Sequence, residues 1–172
     1  FILDAMRQVK SDLEINIMQE SANIAAQAHI YAMGKTRPGK FEYQIEGEIL
    51  NQFTQSGARN PAYSSIVASG INACTLHYIK NNSLLREDDL LLIDAGCELE
   101  SYASDITRTY PINGKFSSPQ KDVYQIVLDA QYAAIDKVIP GNSFDEPHKA
   151  AINTIVNGLI DLNILKASKD EV

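Results

Sequence analysis

Residues 90–96, Leu-Leu-Leu-Ile-Asp-Ala-Gly, decide how the rest of this sequence is interpreted. Four consecutive apolar residues that lead into a carboxylate are typical of a strand buried on both faces. An ionised carboxylate in such a place is costly unless it is paired or bound to a metal ion. The stretch therefore predicts a core strand and makes Asp94 a candidate functional residue.

A second aspartate, Asp105, lies eleven residues later in another candidate strand, 102–112. If the two strands form a hairpin that turns at Leu99-Glu100, Asp94 lies directly opposite Asp105. The Cβ atoms of such a pair are about 4.5–5.5 Å apart, so two ionised carboxylates repel each other unless a cation separates them. A hard divalent metal ion with oxygen ligands would remove this conflict.

The residues alone leave a structural alternative open. Asp94 and Asp105 are equally compatible with polar strand ends that hydrogen-bond to a turn or to Arg108. No further acidic residue ends a predicted buried strand, so a metal enzyme built on this sequence would lack ligands.

Helices flank the central block of strands, an order that indicates an α+β fold. Ser11 and Glu14 form a predicted capping box, and Ser143 and Glu146 form a second one before the last helix. Three glutamates fall off the apolar stripe of the second helix and are expected to face solvent: Glu42, Glu46 and Glu48. The predicted helices cover 11–34, 41–56, 118–139 and 143–163; the predicted strands cover 63–69, 75–79, 90–96 and 102–112.

The three histidines carry little weight by position alone. His77 lies in the middle of the predicted strand 75–79, where a hydrogen-bonded core histidine is the commoner occupant. His29 on the first helix fits a surface or packing role, and His148 near the start of the last helix is expected to be solvated.

Composition excludes several classes of protein. The chain has 172 residues, which is about one domain. Its net charge of −7 argues against binding nucleic acid or an anionic membrane through bulk charge. No apolar run approaches the ~18 residues that span a bilayer. The two cysteines, Cys74 and Cys97, are too few for a disulfide scaffold, which favours a reducing, cytoplasmic compartment.

Taken together, these motifs resemble the pita-bread metallopeptidases, and within them the Xaa-Pro aminopeptidase (aminopeptidase P) family. The resemblance is strongest in Leu-Leu-Ile-Asp-Ala-Gly-Cys-Glu at 91–98 and Tyr-Ala-Ser-Asp-Ile-Thr-Arg-Thr-Tyr at 102–110. It extends over nearly the whole chain through segments that keep the family's order and spacing: 37–43, 46–49, 57–61, 66–70 and 74–78.

The resemblance implies a dinuclear metal site, commonly of manganese. Asp94 and Asp105 match two of its ligands, and His77 matches a catalytic histidine that lies beside the substrate without binding metal. Thr107 would support Asp105 from the same strand face. The remaining ligands, one histidine and two glutamates, lie further along the family's chain. Residues 1–172 are therefore expected to be a partial catalytic domain without its C-terminal half, the first half of a pita-bread fold with an antiparallel sheet and helices on one face.

The implied activity is hydrolysis of the N-terminal Xaa-Pro bond, with peptides that carry proline second as partners and no nucleic acid or membrane. The 172-residue chain alone is expected to be inactive, because it offers at most two metal ligands. It is also expected to form a homo-oligomer through the apolar surface that the missing half would cover. Prolidase, which is restricted to Xaa-Pro dipeptides, and a non-catalytic pita-bread binding module are the alternatives.

Overall fold

The computed structural model describes residues 2–166. The chain divides into two compact units, Phe1–Lys115 and Phe116–Val172, and each is described by itself. Residue 1 and residues 167–172, the ends of the expected partial domain, lie outside the described residues. No helix within 2–166 is both long enough and apolar enough to cross a bilayer.

Three helices open the first unit: α1 (Ile2–Gln8), α2 (Asp12–Lys35) and α3 (Glu42–Gln55). The sequence did not predict α1. The capping box before α2 is confirmed, since Ser11 N donates to Glu14 Oε2 at 2.7 Å and Glu14 N donates to Ser11 Oγ at 3.4 Å.

Two three-stranded antiparallel sheets complete this unit. Their strands are β1 (Asn60–Pro61), β2 (Ile66–Ser69), β3 (Leu90–Ala95), β4 (Cys97–Leu99), β5 (Tyr102–Ala103) and β6 (Ile106–Pro111). One sheet has the order β2-β3-β6 and the other β1-β4-β5.

Helices α2 and α3 pack on one face of the strands, as predicted for an α+β fold. On β3, Leu91, Ile93 and Ala95 are fully buried against them. The alternate residues of β3, which include Asp94, are only half-buried. The expectation that β3 is buried on both faces is therefore wrong for the described residues, because α2 and α3 cover one face.

The prediction that Glu42 faces solvent is also wrong. Glu42 is 0% exposed, while Glu46 and Glu48 are half-buried. Glu42 lies three residues before Ile45, so it continues the core stripe of α3 that Ile45 leads. Its burial follows from this helical spacing.

The predicted strand 75–79 does not form. A short 3₁₀ helix, Gly70–Cys74, follows β2, and residues 75–83 then have no strand pairing. His77 has φ 54°, which lies in the left-handed region and is incompatible with a strand. Tyr78 turns its hydroxyl inward to donate to buried Glu42 at 2.7 Å, and this tertiary contact overrides the local strand preference.

The hairpin between β4 and β5 turns one residue later than predicted. Glu100 and Ser101 occupy the turn with φ 48° and 69°, and Leu99 pairs with Tyr102. Positive φ at both central residues is the type I′ pattern, which favours Asn and Gly. Because neither is present, no residue preference marks these two positions as the centre of the turn.

The second unit is a helical pair, α4 (Ser118–Ile135) and α5 (Glu146–Asp161). The helices approach closely at Gly158, where an added Cβ would lie 2.6 Å from Ile126. The cap of α4 is Ser117, one residue before the predicted start. The second predicted capping box is wrong: the N-cap of α5 is Asp145, two residues after Ser143, and its side chain makes no capping hydrogen bond.

Candidate metal centre

Asp94 and Asp105 lie on the same face of the sheet as diagonal neighbours. Asp94 pairs with Thr107, and Asp105 precedes Thr107 by two residues. Asp105 immediately precedes β6, and both carboxylates reach the same tyrosine hydroxyl, so they face the same side. The true register differs from the predicted one by two residues, an even number, so the two carboxylates still share one face although they are not directly opposed.

A tyrosine that the sequence did not single out joins the two carboxylates. The Tyr63 hydroxyl lies 2.5 Å from Asp94 Oδ1 and 3.0 Å from Asp105 Oδ1. Burial, followed by these hydrogen bonds, raises the pKa of Tyr63 well above its usual value. The phenol therefore keeps its proton and serves as a donor that two carboxylates share.

The alternative in which Arg108 satisfies the two aspartates does not hold. Arg108 pairs with Ile93 rather than with Asp94, and its Nη1 donates to the Thr107 carbonyl at 2.7 Å. Neither aspartate has Arg108 as an ion-pair partner among the described residues.

The donor set fits a hard divalent cation. Two carboxylates offer about eight acceptor lone pairs, and within the described part of the chain the Tyr63 hydroxyl supplies them with a single proton. Oxygen-rich sites of this kind suit Mn²⁺, Mg²⁺ or Ca²⁺. Within residues 2–166, no group of three or more histidine, cysteine or acidic side chains is arranged to hold a metal ion. Asp94 and Asp105 could therefore supply only part of a coordination sphere.

His77 comes to the same cleft as the two aspartates. The cleft has a volume of about 360 Å³ and is lined by Tyr63, Ser64, Ile66, His77, Ile79, Asp94 and Asp105. His77 is exposed on its irregular loop rather than buried in a strand. All three predicted site residues thus line one opening, with apolar side chains beside them.

Gly96 allows the strands to meet between the two aspartates. A Cβ at this position would lie 1.7 Å from the carbonyl oxygen of Ser104, a backbone atom. A glycine inside a strand pattern is a known signal of close backbone approach, so the sequence could have indicated this contact. No comparable pattern marks Tyr63.

His29 packs behind β3, which is one of the two roles predicted for it. It is 2% exposed, and its Nε2 donates to the Ala95 carbonyl at 3.0 Å. Its Nδ1 is buried without a hydrogen-bond partner in the described part of the chain. Burial lowers the pKa of His29, and the bond to Ala95 opposes this shift only in part. The imidazole is therefore neutral and structural.

Comparison with known proteins identifies relatives over nearly the whole chain. The model of metallopeptidase family M24 matches residues 16–168. A Xaa-Pro aminopeptidase from Haemophilus influenzae is 52% identical over 169 residues, which are 98% of this chain and 39% of that protein. One from Escherichia coli is 46% identical over 99% of this chain and 39% of its own length.

Solved structures agree with these matches. An aminopeptidase PepP from Pseudomonas aeruginosa superposes with a TM-score of 0.95 at 49% identity, over 96% of this chain and 38% of that one. A zinc-substituted aminopeptidase P from Escherichia coli in complex with product gives a TM-score of 0.94 at 48% identity, over 96% and 38%. The chain therefore has the fold of the corresponding part of these enzymes and spans about 39% of the relatives' length.

Proposed function

Because this chain belongs to metallopeptidase family M24, we propose that the whole protein is a metal-dependent aminopeptidase that hydrolyses N-terminal Xaa-Pro bonds. The observation that carries this proposal is the pair Asp94 and Asp105, which share one hydroxyl donor in a cleft that also contains His77. The relatives that cover 98–99% of this chain are Xaa-Pro aminopeptidases.

We propose that Asp94 and Asp105 are two of the metal ligands. Divalent ions bound there would supply Lewis-acid activation of water and of the scissile carbonyl. Tyr63, which remains protonated, holds the two carboxylates close together through its hydroxyl. Thr107 lies opposite Asp94 on the neighbouring strand.

We propose a catalytic role for His77 beside the substrate. Its exposed imidazole lines the cleft and can donate a hydrogen bond to the substrate carbonyl oxygen as negative charge develops there. Ile66 and Ile79 give the same cleft an apolar wall that suits a proline ring.

Three finer statements complete the proposal. The ions are Mn²⁺, which suits an oxygen-rich site, although a related enzyme has been studied with zinc. The protein works in the cytoplasm, consistent with two unpaired cysteines, Cys74 and Cys97. It forms a homo-oligomer, and large exposed apolar side chains such as Leu76 and Phe144 are candidates for the contact.

The direct test is hydrolysis of three peptides by the whole protein loaded with Mn²⁺: an Xaa-Pro tripeptide, an Xaa-Pro dipeptide and a tripeptide without proline. Cleavage of the first and not the third supports the proposal. Cleavage of the dipeptide alone would identify a prolidase, and no cleavage with retained peptide binding would identify a binding module. Asp94→Asn and Asp105→Asn should abolish activity, whereas Asp122→Asn, on the exposed surface of α4, should not.

The 172-residue chain by itself offers a second test. We expect it to be inactive, because its described residues supply at most two metal ligands. We also expect it to self-associate. Proline-peptide hydrolysis by the isolated chain, or a monomer by light scattering, would contradict these two expectations respectively.

A further inference from the structure

Glu42 is a fully buried carboxylate that receives hydrogen bonds from several parts of the chain. Its Oε1 accepts from Ser69 N at 2.7 Å, from Ser69 Oγ at 2.7 Å and from Asn72 Nδ2 at 3.0 Å. Its Oε2 accepts from Tyr78 OH at 2.7 Å and from Ser83 N at 2.9 Å. A buried charge is tolerated when it is hydrogen-bonded to this extent.

All the donors to Glu42 beyond Ser69 lie on one segment, residues 70–83. Asn72 also donates to Tyr78 OH at 3.0 Å and to Ser83 Oγ at 2.8 Å, which ties the start of this segment to its end. One carboxylate on α3 therefore organises a loop that has no strand pairing of its own.

The same segment carries His77 into the cleft. His77 is exposed and has φ 54°, whereas the adjacent Tyr78 is buried. A left-handed conformation at a non-glycine residue persists when its surroundings enforce it. Of His77 and Tyr78, only Tyr78 has its side chain anchored in the interior. Its hydroxyl donates a hydrogen bond to Glu42.

We propose that Glu42 is a positioning residue which, through the Tyr78 hydroxyl, fixes the His77 imidazole in the cleft opposite Asp94 and Asp105. This inference rests on the proposed function, because it assigns Glu42 a role in the same reaction. Glu42 itself contacts neither the cleft nor a substrate; it acts on the loop that presents His77.

The charge state of Glu42 is consistent with this role. Burial acts to raise the pKa of Glu42, but hydrogen bonds from Asn72, Ser83, Ser69 and Tyr78 together outweigh it and leave the pKa lowered. The carboxylate therefore stays ionised at neutral pH and accepts from all its donors at once.

The test compares two variants that each remove one hydroxyl donor to Glu42. Tyr78→Phe removes the donor next to His77, and Ser69→Ala removes the donor at the end of β2. In the whole Mn²⁺-loaded protein, with an Xaa-Pro tripeptide, we expect Tyr78→Phe to lower kcat about 10-fold with KM changed less than about 3-fold. Ser69→Ala should lower kcat less than about 2-fold.

A double-mutant cycle with His77→Ala separates positioning from general destabilisation. If Glu42 acts through His77, then Tyr78→Phe and Glu42→Gln should each change kcat less than about 2-fold in the His77→Ala background. Equal fold losses in both backgrounds would overturn the proposal, as would a loss for Ser69→Ala as large as that for Tyr78→Phe. Tyr78→Phe keeps the buried charge, so the test remains decisive if Glu42→Gln does not fold.

A spectroscopic measurement keeps this inference distinct from the proposed function. The ring C–H signals of His77 in the NMR spectrum should shift and broaden in Tyr78→Phe and stay unchanged in Ser69→Ala. Unchanged His77 signals in Tyr78→Phe would overturn the positioning role. If the wild-type protein cleaves no Xaa-Pro peptide but Tyr78→Phe still shifts the His77 signals as expected, only the proposed activity is refuted.

Discussion

The first unit contains two acidic centres that differ in how their oxygens are satisfied. Glu42 accepts five hydrogen bonds within residues 2–166, whereas Asp94 and Asp105 share the single hydroxyl of Tyr63. A carboxylate whose acceptors are filled by the protein organises the fold. A pair of carboxylates with acceptors to spare retains the capacity to bind a cation. The number of donors, rather than burial alone, therefore distinguishes a structural acid from a candidate ligand.

The largest effect is expected from a substitution that disrupts the geometry of the aspartate pair and leaves Glu42 unchanged. In Gly96→Ala the new Cβ would meet the Ser104 carbonyl at 1.7 Å, so β3 and the strand that follows Ser104 must separate. We expect the free energy of unfolding to fall by about 3 kcal/mol or more. Urea denaturation followed by far-UV circular dichroism measures this.

Gly47→Ala is the matched control for that substitution. Gly47 lies within α3, and nothing lies within 4 Å of an added Cβ. Alanine should stabilise the helix by about 0.5–1 kcal/mol. If both substitutions lowered the free energy of unfolding by a similar amount, the close backbone approach at Gly96 would not be the cause of the destabilisation.

The next effect contrasts the two acidic centres directly. Glu42→Gln leaves buried donors, Tyr78 OH and Ser83 N, facing an amide nitrogen, and should lower the free energy of unfolding by about 2–4 kcal/mol. Asp94→Asn keeps an acceptor for Tyr63 and removes one of two neighbouring charges, so its effect should stay within about 1 kcal/mol in either direction. If the two substitutions cost the same, the distinction between the centres fails.

A divalent cation should recognise only one of the centres. Mn²⁺ at ten times its dissociation constant should stabilise the protein by about 1.4 kcal/mol, visible as a higher midpoint of thermal unfolding. The shift should persist in Ser69→Ala, beside Glu42, and disappear in Asp94→Asn. An equal shift in both variants would place the cation elsewhere.

The smallest expected effect concerns acid stability. Burial lowers the pKa of His29 below its usual value of 6.5, so the unfolded chain takes up a proton at a higher pH than the folded one. The contribution of His29 is therefore fully present above pH 6.5 and declines as the pH falls below it. His29→Gln should flatten the dependence of unfolding free energy on pH below pH 6.5, and exposed His148→Gln should not. An unchanged slope in His29→Gln would argue against a buried neutral imidazole.

The sequence predicted the parts of the site that depend on alternation along a strand. The apolar run before Asp94 identified β3, and the shared face of Asp94 and Asp105 survived a register error of two residues because that error was even. The Ser11 cap was readable because it is a local interaction. The type I′ turn at Glu100 and Ser101 was not, since neither residue is the type that favours positive φ.

Features that depend on contacts distant in sequence could not be read in the same way. Local sequence predicts a strand at His77, but the position of this residue depends on its neighbour Tyr78, whose hydrogen-bond acceptor Glu42 is 36 residues away. Tyr63 reaches Asp94 and Asp105 across 31 and 42 residues. The burial of Glu42, by contrast, could be predicted from local sequence. Its spacing to Ile45 places it on the core stripe of α3, and only its charge favours an exposed position.

The turn at Glu100 and Ser101 also matters for how this sequence can change. Both residues adopt a left-handed conformation that costs most side chains about 1–2 kcal/mol each, and both are exposed at a hairpin tip. Glu100→Asn and Ser101→Gly would relieve this strain without touching either acidic centre. These two substitutions would therefore raise the free energy of unfolding. The added stability would allow destabilising substitutions around the cleft when the protein is engineered for new substrates.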